Sequence, residues 1–205
     1  LRKNNCIKLF NDIEMPLIHT LSIMEDEGIS LNLKELTKFS NELQDNILSL
    51  NKEIWVISGE NFNISSPKQL GEVLFEKMKI SDAIKKTKSG QYSTSEETLS
   101  KIKKNHPIIE KILQYRTLQK LHTTYVKNLP LLVDKKTGRI HTTFNQSITS
   151  TGRLSSVNPN LQNIPIRSDK GKRIRMSFIP RNKDYILLCA DYSQIELRIM
   201  AELSR

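Results

Sequence analysis

From Leu33 the apolar residues fall at Leu36, Phe39, Leu43, Ile47, Leu50, Ile54 and Ile57, in steps of three and four. An α-helix brings such positions onto one face, so the spacing predicts one long amphipathic helix of about seven turns. A stripe that long must be covered by another element, and this requirement constrains the rest of the chain. Asn32 and Glu35 form an N-cap and a capping-box-like start, and Gly59 supplies a stop. A shorter helix around "PLIHTLSIMEDEG" places Leu17, Leu21 and Met24 on one face and ends at Gly28. The two are expected to form an antiparallel pair.

Residues 60 to 105 change character. Short helices are expected after "SSP" at Ser65 to Pro67 and within "STSEE" at Ser93 to Glu97, separated by the basic "KKTKSGQ". Pro107 opens a second long helix, with Ile108, Ile112, Leu118 and Leu121 spaced to bury one face and an end before "NLP". A long helix, a small basic tip and a helix back describe a projecting arm; a plain helical bundle has the same periodicity. After Pro130 helix gives way to sheet. A Lys-Thr-Gly turn precedes the alternation of Ile140, Thr142 and Phe144, which predicts a hairpin. The stretch from Arg167 to Lys183 is rich in Lys and Arg and carries a single acid, Asp169, the pattern of a solvated face or loop. The apolar run 185–190 then reads as a buried strand feeding a helix with Ile195, Ile199 and Leu203 on one face. The expected fold class is α+β, predominantly helical.

Charge narrows the function. The 205 residues carry 32 Lys and Arg against 22 Asp and Glu, a net charge of +10. A polyanionic partner fits this excess, nucleic acid ahead of an acidic membrane surface. No apolar stretch approaches the roughly 20 residues that span a bilayer. Cys6 and Cys189 lie too far apart for a zinc-site spacing, and a reducing cytoplasmic home is the default. The opening "LRKNNCIKLF" has neither a Met nor a signal-peptide pattern, so the sequence reads as a piece of something longer.

Several residues could carry chemistry. Asp191 stands at the expected strand's C-terminal end, where a carboxylate can hold Mg²⁺ but can equally serve a helix N-terminus. Ser193 and Glu196 fit an S-x-x-E capping box, and Arg198 can pair with Glu202 four residues on. In "TSTGRLSSVNPNLQNIPIRSDKGKRIR", Gly152 permits close backbone approach beside Arg153. Asn160, Gln162 and Asn163 offer amides that donate and accept at base edges or sugars. Arg167, Lys170, Lys172, Arg173 and Arg175 suit phosphates. An ordered polar loop with a solvated basic rim accounts for the same residues.

"TGRLSS" at 151 to 156, "NPNLQNIPIR" at 158 to 167 and "DYSQIELR" at 191 to 198, in that order, resemble the bacterial DNA polymerase I family, the family A DNA-dependent DNA polymerases. "KTGRIHTTFNQ" at 136 to 146, "STSEETL" at 93 to 99 and "EMPL" at 14 to 17 extend the resemblance over essentially the whole chain. It implies that residues 1–12 are the tail of an exonuclease-like domain, 13–130 a helical thumb gripping duplex DNA, and 131–205 the proximal palm. The parent would be a monomer in the bacterial cytoplasm, associated with the nucleoid. Its partners would be primer-template DNA and deoxynucleoside triphosphates.

By the same resemblance Asp191 is the first catalytic aspartate, bridging two Mg²⁺ ions with the Tyr192 carbonyl as a second ligand. Gln194 lines the incoming nucleotide's site. Glu196 closes the space beside the sugar 2′ carbon. Arg153 probes the minor groove at the primer-terminal pair, and Asn160, Gln162, Asn163 and Arg167 lie near primer and template. The basic residues from Lys170 to Arg175 form a nucleic-acid-facing surface. The family's fingers helix and the "HDE" segment with the second catalytic aspartate are absent from this sequence, so the isolated chain is expected not to polymerise or hold both ions stably. The alternative is a non-enzymatic duplex-binding module. A single-subunit RNA polymerase is disfavoured by Glu196 and "TGRLSS".

Overall fold

The structure, a computed structural model, describes residues 3, 5–81, 84, 86, 87 and 90–204. A helical turn α1 (Ile7–Leu9) and a π-helical turn (Phe10–Glu14) run into α2 (Met15–Glu27). Gly28 closes α2 with φ of +59°, its N–H donating to the Met24 carbonyl at 3.1 Å. A Cβ at Gly28 would lie 2.5 Å from the Ile140 carbonyl oxygen, so both conformation and space demand glycine there. The short strand β1 (Ile29–Leu31) then leads to the predicted long helix, α3 (Leu33–Ser58).

The α3 boundaries follow the local chemistry. Asn32 Oδ1 accepts from the Glu35 N–H at 3.2 Å, and Gly59 ends the helix in the left-handed region. The Asn32 N–H donates to the Ser177 carbonyl at 2.8 Å, which ties the start of α3 to a distant segment. Leu36, Phe39, Leu43, Ile47, Leu50 and Ile54 are buried, whereas Leu33 at the helix start is exposed.

The tip contains α4 (Pro67–Gly71), a π-helical turn (Glu72–Lys77) and α5 (Glu96–Lys101). Ser66 and Ser95 cap the two helices through their hydroxyls, as the serine and proline signals predict. The second long helix, α6 (Pro107–Leu121), continues through a π-helical turn (His122–Val126). It lies antiparallel to α3: Ser40 meets His122 at 3.1 Å near one end, and Glu53 meets Lys111 near the other. The partner of α3 is therefore α6 rather than α2. The end of α2 is held by β-structure instead: Glu25 Oε1 accepts from the Phe144 N–H at 2.5 Å, and Glu27 pairs with Arg139 at 3.1 Å.

Beyond a 3-10 turn (Leu129–Leu132), the Lys-Thr-Gly turn forms, with Asp134 Oδ1 accepting from the N–H groups of Lys136 and Thr137. It does not make the predicted hairpin. The strand after it, β2 (Arg139–Ile140), pairs with β1, which pairs on its other side with β5 (Phe178–Ile179), giving the antiparallel order β2-β1-β5. A separate antiparallel pair joins β3 (Thr143–Asn145) to β4 (Ser155–Val157). Between β4 and β5 the basic stretch is not the expected loop but contains a helix, α7 (Asp169–Met176), capped by the Ser168 hydroxyl at 3.0 Å from the Gly171 N–H. One apolar cluster runs from the α3–α6 contact through Ile140 to Ile174 and Phe178.

The predicted strand at 185–190 is absent: these residues are exposed, Ile186 and Leu188 each at 86%. A strand needs a neighbouring backbone to satisfy its N–H and C=O groups, and none is paired with this run among the described residues. The following helix, α8 (Ile195–Leu203), likewise leaves Leu197, Ile199 and Leu203 exposed. Among the described residues no helix is long and apolar enough to cross a membrane. Leu43→Ala, at a fully buried site on the α3–α6 seam, is expected to destabilise the chain by about 2–5 kcal/mol in urea denaturation. Val56→Ala, on the exposed face of the same helix, should stay within about 0.5 kcal/mol.

Candidate nucleic-acid interface

Two of the predicted site residues, far apart in sequence, come together. Arg153 follows Gly152, whose φ of +76° makes a turn within the β3–β4 loop, and the Arg153 carbonyl accepts from the Thr149 hydroxyl at 2.5 Å. The guanidinium reaches Glu196 on the first turn of α8, with Nη2 to Oε1 at 3.4 Å. Both side chains remain about three-quarters exposed, at 78% and 74%, so this pair adds little to stability and leaves both groups open to a ligand.

The capping box expected at Ser193 does not form. Gln194 occupies the N-cap position in the left-handed region, with φ of +55° and no side-chain cap, so Ser193 falls one residue outside the helix. Its carbonyl instead accepts from Arg198 Nε at 3.0 Å. Asp191, Tyr192 and Gln194 are exposed beside this helix start.

The amides upstream divide into two uses. Gln162 donates through Nε2 to the Leu154 carbonyl at 2.9 Å and accepts at Oε1 from the Ser156 N–H at 3.1 Å. Its amide fastens the loop to β4, a structural use that the residue type alone could not distinguish from base contact. Asn160 Oδ1 accepts from the Gln162 N–H at 2.9 Å, shaping the same turn. Asn163 keeps an exposed side chain while its carbonyl accepts from the Tyr125 hydroxyl, joining the loop to the end of α6.

The basic residues also differ in availability. Arg167, Lys170 and Arg175 are exposed, and Lys172 pairs with Asp169 at 3.1 Å. Arg173 turns toward α3, where its two terminal nitrogens lie 2.5 and 3.3 Å from the Glu42 carboxylate and its guanidinium stacks 4.2 Å from the centre of the Phe39 ring. The hydrogen bond from Arg173 holds the Glu42 carboxyl below the usual carboxylate range, and the same bond raises the Arg173 guanidinium.

A second basic concavity had no counterpart among the sequence expectations. An open cleft of about 610 Å³ lies between the tip and α6, lined by Ser65, Tyr92, Ser95, Arg116, Lys120 and Thr123. Half-buried Arg116 donates to the Thr94 carbonyl and, at 3.2 Å, to the Thr94 hydroxyl, fixing the serine-rich turn beside the cleft. A neighbouring cleft of about 360 Å³ joins Lys120 and Tyr125 to Asn163 and Ser168, so tip, α6 and loop share one surface. The one signal in the sequence is the spacing of Arg116, Lys120 and Thr123, which places them along one line of the helical segment.

No group of three His, Cys, Asp or Glu side chains that could hold a metal ion occurs among the described residues. Asp191 and the Tyr192 carbonyl offer one carboxylate and one carbonyl. That set falls short of the oxygen shell that Mg²⁺ requires, so the described residues do not by themselves fit a pair of ions.

The family model for DNA polymerase family A matches residues 33–205. A DNA polymerase I of Synechocystis sp. is 53% identical over 199 residues, covering 97% of this chain and 20% of that protein. That of Geobacillus stearothermophilus is 47% identical, covering 100% of this chain and 23% of that protein. Among solved structures, the POL domain of Pol1 from M. smegmatis in complex with DNA primer-template and dNTP superimposes with a TM-score of 0.88 at 41% identity, covering 100% of this chain and 36% of that one. The chain thus spans about a fifth to a quarter of the length of these curated relatives. With the matched region taking in α3, α6, both clefts and the Arg153–Glu196 pair, the chain belongs to DNA polymerase family A.

Proposed function

We propose that this chain is the thumb, 13–130, and proximal palm, 131–205, of a DNA-directed DNA polymerase that extends a primer on a template in replication and repair, with residues 1–12 as the tail of a preceding domain. The parent acts as a monomer on the bacterial nucleoid. The observation that carries this reading is the approach of Arg153 to Glu196 at 3.4 Å, beside the helix start that follows Asp191. A cation able to donate to minor-groove acceptors and a carboxylate able to crowd a sugar are then adjacent, an arrangement suited to a primer end and an incoming nucleotide.

Within that reading the thumb clefts supply sequence-independent grip. Lys120, Arg116 and the serine hydroxyls meet phosphates, and exposed Arg167, Lys170 and Arg175 extend the basic track. Arg153 tests the primer-terminal pair, where purine N3 and pyrimidine O2 acceptors recur in every correct pair. Glu196 and Gln194 border the nucleotide, and Glu196 rejects a 2′ hydroxyl. The reaction class is in-line attack of the primer 3′ oxygen on the α-phosphate with release of pyrophosphate. Asp191 and the Tyr192 carbonyl contribute part of a Mg²⁺ site that other segments of the parent complete.

A second reading for the isolated chain is a duplex-binding module without catalysis, which the exposed basic residues Arg167, Lys170 and Arg175 support. Its binding should fall with salt, the log-log slope being about −0.9 for each phosphate neutralised, as measured by fluorescence anisotropy on a primer-template. Salt-independent binding would rule out phosphate-led recognition. In the parent, Asp191→Ala should abolish primer extension while primer-template affinity stays within about threefold, because a metal-ligand role is spent on the reaction rather than on duplex grip. Wild-type turnover in that variant would exclude the metal-ligand role.

A further inference from the structure

The Glu42–Arg173 contact joins the long helix α3 to α7 across 131 residues of sequence. It has the features that set an ion pair apart from an incidental surface bridge. The carboxylate is engaged by both terminal nitrogens of the guanidinium, which also lies 4.2 Å from the centre of the Phe39 ring, one turn back on α3. Ile174, next to Arg173, is fully buried. On the other side of α7, a Cβ at Gly171 would sit 2.9 Å from the Pro165 side chain, so the helix is wedged between the 158–168 loop and α3.

The same two helices meet at a second point. The Asn32 N–H donates to the Ser177 carbonyl at 2.8 Å, and β1 pairs with β5 directly beside it. Backbone pairing therefore fixes the start of α3 to the end of α7, and Glu42 lies ten residues further along α3, a lever of about 15 Å at 1.5 Å per residue. Rotation of α7 about the backbone contact is opposed at the far end of that lever by Arg173. What α7 carries with it matters: Lys170 and Arg175 are exposed on it, and Ser168, its N-cap, faces Lys120 across a cleft whose far side is pinned by the Tyr125 hydroxyl donating to the Asn163 carbonyl.

We propose that Glu42 is a positioning residue: by gripping Arg173 it sets the angle between α7 and the α3–α6 pair, and so the spacing between the basic side chains of α7 and those of α6 that meet the duplex backbone. The proposal rests on the duplex-binding reading above. Glu42 itself touches neither duplex nor nucleotide; its effect passes through Arg173.

The test uses the complete parent polymerase. Glu42→Ala should weaken equilibrium primer-template binding about fivefold while the single-turnover rate at saturating DNA stays within about twofold, the split expected of a positioning residue. Glu42→Gln, which keeps the size and one hydrogen bond, should fall between wild type and Glu42→Ala. Spin labels at exposed Val56 and Met176, with Cys6 and Cys189 replaced by Ser, should give a narrow distance distribution in the wild type and a broader one in Glu42→Ala. Unchanged affinity in both variants, or an unchanged distance distribution, overturns the proposal. Wild-type parent that binds no primer-template overturns the duplex-binding reading itself, and the label distances then still report whether Glu42 fixes the angle.

Discussion

The antiparallel contact of α3 with α6 is the interaction on which the other features depend. Leu36, Leu43 and Ile54 from one helix and Ile108, Ile109 and Ile112 from the other are fully or almost fully removed from water. Burying such side chains contributes about 1.5–3 kcal/mol each before chain entropy is subtracted. Among the described residues, these two helices make the most extensive contact between elements. Beside the seam, Arg116 and Lys120 of α6 and Thr123 of the π-helical turn after it line the cleft. Basic side chains mounted on a rigid pair hold their spacing, which a surface that grips a repeating phosphate backbone needs.

Around this pair the sheet works as a clamp assembled from distant segments. β1, only three residues long, sits between β2 and β5 and brings residues 29–31 against 139–140 and 178–179. With the Asn32–Ser177 hydrogen bond beside it, the clamp fixes where β4 and its flanking loops, which bear Arg153 and Gln162, lie relative to the helices. The loop in turn holds its own shape: buried Thr142 and Ser156 share a hydroxyl contact at 2.7 Å, and Gln162 fastens β4 from the outside. Arg153 is thereby held on a supported turn while its side chain stays free to meet a ligand.

Local chemistry made much of this legible from sequence. Asn32, Pro107 and Gly59 mark helix boundaries where expected, and Ser66 and Ser95 prove to be the caps within the expected "SSP" and "STSEE" starts; each acts through a cap or a φ preference that needs no distant partner. What escaped depends on partners. The pairing of β1 with β2 joins positions about a hundred residues apart and leaves no local trace beyond a Gly turn that suggested a different hairpin. α7 was hidden because only Gly171 and Ile174 of its eight residues are buried, too few for a periodic signal amid the basic residues. The run 185–190 has the composition of a strand but no paired backbone, and the serine of the S-x-x-E pattern was displaced by the left-handed Gln194. Among the site residues, the meeting of Arg153 with Glu196 and the commitment of Gln162 to backbone atoms are three-dimensional facts that residue type does not encode.

The proposed activity has one direct test: single-nucleotide primer extension by the parent protein with Mg²⁺, offering each of the four deoxynucleoside triphosphates separately on templates that differ only in the first unpaired base. Extension by one nucleotide with the complementary triphosphate is expected, following the template base as it is changed. Absence of extension, or addition that ignores the template base, would contradict it.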